Sequence, residues 1–208
     1  MGDVVDSVVE RVGGHLREQF GGEPAASASV TFLGLEPIDV RCYLGEGAMS
    51  VGSGPDAQSL IHFASVGGSR TPMNDPTAMI NDPESGPRAE VIVSLHPSGG
   101  PPAGLHRSVA VLAAAPAVEG VILAPDGIVD LSEPMWAGSG FTAVLLGESG
   151  VPDLVLDPPR EPVRFLEAIP ITATEAAWVR VRGAGALRDA WSEAGVDCHD
   201  PARRAVSL

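Results

Sequence analysis

Residues 29–44 read Ser-Val-Thr-Phe-Leu-Gly-Leu-Glu-Pro-Ile-Asp-Val-Arg-Cys-Tyr-Leu, and their alternation decides the class of fold. Val30 and Phe32 alternate with Ser29 and Thr31. Beyond Glu36-Pro37, Ile38, Val40, Cys42 and Leu44 alternate with Asp39, Arg41 and Tyr43. Two period-2 runs joined by a short Pro-containing link predict an antiparallel pair with one buried face. Working outward, residues 60–66 read as a third strand and residues 89–96 as a fourth, with Val91, Val93 and Leu95 as its apolar face. Strands that succeed one another without intervening helices argue against βαβ repeats and for an α+β fold.

Upstream, Val5, Val8, Val12, Leu16 and Phe20 recur at helical spacing opposite Asp6, Glu10, Arg17 and Glu18, and Gly21-Gly22 ends the helix. Gly13-Gly14 inside it lowers helix propensity. Downstream, Pro101-Pro102 precedes a helix over 104–115, with Leu105, Val109 and Leu112 on one face. Short strands are expected at 121–123, 128–131 and 142–146, then a Pro-rich connection over 151–162 and an apolar run over 163–171. Thr172-Ala-Thr-Glu175 is a capping box that opens a helix carrying Trp178 and Val181. Gly183 interrupts it, and Leu187, Ala190 and Trp191 define a last helix stopped by Gly195. The expectation is one domain over 1–208, with a helix at about 4–20, a core at about 28–195 and a short tail. Its sheet should be mixed and largely antiparallel, with amphipathic helices packed on it.

The chain has 208 residues, 27 acidic and 13 basic, for a formal charge of −14, and every basic residue is Arg. Such a surface lacks the clustered positive charge that phosphate neutralisation needs, which excludes a nucleic-acid partner. With 25 Gly and 19 Pro, turns are frequent. The N-terminus has Asp3 and Asp6 and no basic n-region, Met1-Gly2 lacks the Ser or Thr of a myristoylation site, and residues 109–118 are too short to span a bilayer. A cytoplasmic protein without membrane association is expected. Cys42 and Cys198 share no ligand spacing and read as buried thiols.

Residues 45–50, Gly-Glu-Gly-Ala-Met-Ser, begin like a dinucleotide loop but place Ser50 where the last Gly belongs. Ser69, in Gly-Gly-Ser-Arg-Thr, lacks the closing Gly of a nucleophile elbow and reads as a turn serine. None of the five His has metal-ligand spacing; His96 reads as a strand-end residue and Cys198-His199 as a surface turn. No metal or organic cofactor, and no catalytic residue, is expected. Residues 67–87 form a long loop broken by Pro, and such loops on a rigid scaffold carry recognition residues. Its candidates for partner binding are Arg70, Met73, Asp75, Met79, Arg88 and Glu90, the methionines as adaptable apolar contacts and the arginines as forked donors. The other reading is an edge cover in which Arg88 pairs with Glu90.

Taken in order, several segments resemble the suppressor of fused domain family. They are Ser69-Arg-Thr-Pro72-Met73, Arg88-Ala-Glu-Val91, residues 138–146, the run Val163-Arg-Phe-Leu-Glu-Ala-Ile-Pro-Ile-Thr-Ala-Thr-Glu175, and the tail Asp200-Pro-Ala-Arg203. The resemblance extends from about Gly34 to Arg204. It departs from the family at residues 99–102, where Gly-Gly-Pro-Pro replaces a Trp-containing approach to the middle helix. The resemblance implies protein binding rather than catalysis. The animal member is a cytoplasmic regulator that sequesters zinc-finger transcription factors by gripping a short peptide, and many bacterial relatives are regarded as immunity proteins that neutralise toxins. Two readings of other classes stand beside it: a hydrolase using Ser69 or Glu90, and a structural subunit of an operon-encoded complex.

Overall fold

The computed structural model describes residues 7–45, 60–74, 82–97 and 102–207. Of the sequence features above, Met1 to Asp6, most of the Gly45–Ser50 motif, Asp75, Met79 and residues 99–101 lie outside them. The described chain runs α1 (Val8–Gln19), β1 (Ala26–Val30), β2 (Ile38–Leu44), β3 (Ile61–Val66), a 3₁₀ turn at Gly68–Arg70, and β4 (Arg88–Leu95). It continues through α2 (Leu105–Glu119), β5 (Ile128–Asp130), β6 (Phe141–Glu148), β7 (Val163–Thr172), α3 (Ala173–Arg182) and α4 (Ala184–Glu193).

The seven strands make one sheet in the order β1-β2-β3-β4-β7-β6-β5. Every neighbouring pair is antiparallel except β4 and β7, which run parallel from Arg88 beside Val163 to Ile92 beside Glu167. The fold is therefore α+β with a mixed, largely antiparallel sheet. The predicted pairing of the first two runs is present, with Val30 opposite Ile38 and Ala26 opposite Cys42. The first strand lies over Ala26–Val30, however, so Thr31 and Phe32 belong to the turn.

Both faces of the sheet are covered, which strict alternation cannot reveal. On one face Val91, Val93 and Leu95 pack with Val144, Leu146 and Leu166 under Leu105, Val109 and Leu112 of α2. On the other, Ile92 and Phe165 join Val8, Val12 and Leu16 of α1, while Ala143, Leu145 and Ile171 lie under Val179, Leu187 and Trp191 of α3 and α4. All eight residues of β4 are buried, as in a central strand between helix layers.

Local signals account for the helix ends. Ser7 and Glu10 form a capping box on α1, and Thr172 and Glu175 form the anticipated one on α3. α2 runs to Glu119 rather than stopping near 115, because Pro116 removes one donor while its carbonyl still accepts from Gly120 at 3.1 Å. The strand expected at 121–123 does not form. On α3 the buried positions are Glu175, Ala176 and Val179, and Val181 faces solvent. Gly13 has a packing reason to be in α1: a Cβ there would sit 2.5 Å from the Arg41 guanidinium. Cys42 is buried, Cys198 half-buried, and both are free thiols.

Candidate functional site

The segment after β3 is built around two buried charges from the start of β4. Glu90 is wholly enclosed. Its carboxylate accepts from the backbone amides of Gly67 (2.8 Å), Ser69 (3.0 Å) and Gly68 (3.3 Å), from the Ser69 hydroxyl (2.6 Å) and from the Ser65 hydroxyl. Successive amides converging on one carboxylate create a charge-assisted nest in place of a cationic partner. The turn can close this tightly because Gly67 has φ +123° and a Cβ on Gly68 would sit 2.9 Å from the Ala113 carbonyl. Arg88, also buried, donates to the carbonyls of Ser69 (2.8 Å), Arg70 (2.9 Å) and Glu84 (2.9 Å). Burial pulls its pKa below the usual guanidinium value, with Arg160 adding to the effect.

The Arg88–Glu90 pairing of the edge-cover reading is absent among the described contacts: the two groups grip opposite polarities of the same loop backbone. Arg88 and Glu90 thus shape the loop. Met73 does so too, buried with its sulfur accepting from the Leu123 amide at 3.2 Å. Arg70 is partly exposed, its guanidinium 3.4 Å from the Pro37 carbonyl. Ser69 is enclosed and spends its hydroxyl on Glu90.

Between this loop and the end of α2 lies a cleft of about 460 Å³ lined by Gly68, Thr71, Pro72, Asn74, Pro83, Pro116, Ala117 and Gly120. Val118, Val121 and Ile122, adjoining its α2 wall in sequence, are exposed at 62%, 36% and 47%. The sequence reading missed this wall. The apolar run after Pro116 is its signal, and that run is surface and not the expected strand.

Two further polar groups lie on the α1 side of the sheet. His62 on β3 bonds the Ser94 hydroxyl through Nδ1 at 2.9 Å, and the Ser94 amide donates to Glu167 at 3.0 Å. These are the residue types of a hydrolytic triad without its wiring, since the carboxylate holds the serine amide and not the imidazole. Although part of Glu167 reaches the surface, burial of its carboxyl raises the pKa to about 7 against the bonds from Ser94. Burial, reinforced by His199, lowers His62 to about 4. Beyond them, His96 holds Asp197 at 2.8 Å and its amide donates to the His199 carbonyl, so the strand-end His fastens the C-terminal turn. The second group joins the capping Glu175 to the tail: Arg203 donates to it at 2.8 Å and the Trp191 indole at 3.0 Å, and the Arg203 guanidinium lies over Phe141 and Trp191. Among the described residues, no three His, Cys, Asp or Glu converge as metal ligands, and no helix is long and apolar enough to cross a membrane.

Solved structures share this fold. A protein described as a suppressor of fused homolog from Neisseria gonorrhoeae FA 1090 matches at 18% identity and TM-score 0.66, over 97% of each chain. A chain of the Sufu–Fu complex crystal structure matches at 14% identity and TM-score 0.67, over 96% of this chain and 92% of that one. Drosophila Suppressor of Fused matches at 14% identity and TM-score 0.67, over 96% of this chain, which spans 51% of that one. No curated protein sequence matches. The family model for suppressor of fused protein (SUFU) matches residues 34–204, a span that takes in the Glu90 nest, the cleft and the Glu175–Arg203 clamp alike. The chain belongs to the suppressor of fused protein family.

Proposed function

We propose that this chain is a non-enzymatic protein-binding domain whose cleft between the 67–87 loop and α2 receives a partner, and that the partner is a basic toxin domain which it neutralises. The observation that carries the reading is the cleft: a loop anchored by two buried charges sets Thr71, Pro72 and Asn74 against Pro116, Ala117 and Gly120, and Val118, Val121 and Ile122, next to that wall in sequence, are exposed. Exposed apolar residues rimmed by polar ones on a rigid support are the make-up of a recognition surface. Arg88, Glu90 and Met73 position that surface, while Asp75 and Met79 remain proposed contacts within the same loop. A relative of this fold is found in a complex, Sufu–Fu, which supports a protein partner. The charge of −14 supports a basic one, because complementary potential speeds encounter and disfavours acidic competitors. Ser69 and Glu90, the groups a hydrolase would need here, are enclosed and hydrogen-bonded to each other.

The test assays binding to the product of the adjacent gene. Val118→Asp with Ile122→Asp, and separately Arg70→Ala, should weaken capture by about 2 kcal/mol, as loss of interface anchors does, with little change in melting temperature. Loss of stability without loss of binding overturns the assignment, as does turnover of ester or phosphodiester substrates that disappears in Ser69→Ala.

A further inference from the structure

The two edges of the sheet are built differently. β5 is three residues long and ends in Asp130, which Arg180 holds. β1 has the sequence Ala-Ser-Ala-Ser-Val over Ala26–Val30, with no charge, no Pro and no Gly. It pairs with β2 residue for residue, from Ala26 opposite Cys42 to Val30 opposite Ile38, without a bulge. β2 takes one row of its backbone groups, and among the described residues nothing bonds the other row. Natural sheets blunt such an edge with charge, Pro, a bulge or shortness, because unpaired amides and carbonyls are a template for another strand. β1 uses none of these, and its Ala26, Ser27 and Ser29 are exposed.

The strand is complementary to itself. Set antiparallel to a second β1 with Ala28 opposite Ala28, Ala26 comes opposite Val30 and Ser27 opposite Ser29. Directly opposed residues share a face, so Ala26, Ala28 and Val30 continue the apolar face that Ile38, Val40 and Cys42 present to α2. On the other face one row reads Asp39, Ser29, then Ser27 and Arg41 of the second copy. It sets an acid of one molecule in line with a base of the other, and the two-fold symmetry repeats it. Shifting the pairing by one residue would put Ala opposite Ser and turn one copy's apolar face to the other's polar one. The two Asp39 side chains stay about 14 Å or more apart, three strand spacings, which exceeds the Debye length at physiological salt. Leu33, fully exposed where β1 turns toward β2, adds apolar area at each end of the paired strands.

We propose that β1 is a self-association surface, through which two copies of this chain pair edge to edge about a two-fold axis at Ala28 and join their sheets into one. A stable interface buries about 1,200–2,000 Å², and a strand of five residues supplies less. The dimer therefore forms at high concentration and exchanges readily. Its surface uses none of the residues that line the cleft at the end of α2.

Sedimentation equilibrium on the full chain, from micromolar to millimolar concentration, tests the pairing at low and high sodium chloride. The expected result is a reversible monomer–dimer equilibrium that tightens with salt, since screening relieves the repulsion between two molecules of charge −14. Ala28→Lys, which sets two ammonium groups opposite each other, should weaken the dimer by about tenfold or more while the amide spectrum stays dispersed. Side chains directly opposite across an antiparallel pair have Cβ atoms about 5 Å apart, close enough for a disulfide. Under mild oxidation Ala28→Cys should therefore cross-link into a dimer and Ser27→Cys should not, because Ser27 faces Ser29 of the second copy. A monomer at every concentration and salt overturns the proposal, and that measurement needs no variant to fold. Equal affinity in folded Ala28→Lys, or cross-linking of Ser27→Cys as fast as Ala28→Cys, overturns it as well.

Discussion

At the scale of single residues, Glu175 is governed by a contest between two effects. Burial pushes its carboxyl up, but bonds from Arg203, the Thr172 amide and Trp191 prevail and hold its pKa below the ordinary value. The clamp therefore contributes stability above the unfolded carboxyl pKa and loses it as pH falls through the folded value. Arg203→Ala leaves Glu175 enclosed without a cationic partner, held by neutral donors alone. It should cost about 3–5 kcal/mol near neutrality and reverse the slope, so that urea midpoints of the variant fall as pH rises. The pair Glu167 and His62 behaves differently. Glu167, raised to about 7, holds its proton in the folded state and loses stability as pH climbs from its unfolded value. His62, lowered to about 4, loses stability as pH drops below about 6.5. Between about pH 4.5 and 6.5 the two slopes oppose each other, because folding in effect moves a proton from imidazole to carboxyl. Glu167→Gln removes one side of the balance. Its urea midpoint should then climb with pH across that window, the gain in stability having an upper bound of about 3 kcal/mol set by the His62 shift alone, where the wild type stays nearly flat.

At the scale of elements, the 67–70 turn depends on β4 more than on its own sequence. Glu90→Gln places an amide donor toward the amides of Gly67 and Ser69, which a carboxylate had satisfied. A loss of about 2–3 kcal/mol is expected, with hydrogen exchange accelerated at Gly67 and Ser69 before the rest of the sheet. Uniform acceleration across all strands would show that the nest stabilises the domain without locally holding the turn. This dependence explains what was legible beforehand. The β1–β2 pair, the first helix and the α3 cap are written in local periodicity and capping chemistry, and they lie where expected within a few residues. Arg88 and Glu90 were identifiable as important, but their task was not, because charge type does not tell whether a partner is another side chain or a row of backbone groups. The stretch after Pro116 looked like a strand since three apolar residues have no usable period. The contact of Glu175 with Arg203 joins groups 28 residues apart, and no spacing rule reaches that far.

At the scale of the whole molecule, a charge of −14 on a chain without Lys favours fast capture of a basic partner and little else. Association with such a partner should slow at least tenfold between low and physiological salt while dissociation changes little, as stopped-flow measurement would show; a salt-independent association rate would remove charge as the basis of partner choice. The single parallel seam between β4 and β7 has a different kind of consequence. It divides the sheet into two halves contiguous in sequence: α1 with β1–β4 before residue 97, and α2, β5–β7, α3 and α4 after residue 102. During synthesis the first half waits with the β4 edge open until β7 arrives, the last strand among the described residues and the one that pairs with that edge. Expressed as two pieces divided between residues 97 and 102, the chain should reassemble by zipping β7 onto β4 beneath α2. That would make this domain a split pair whose rejoining reports on whatever is fused to its ends.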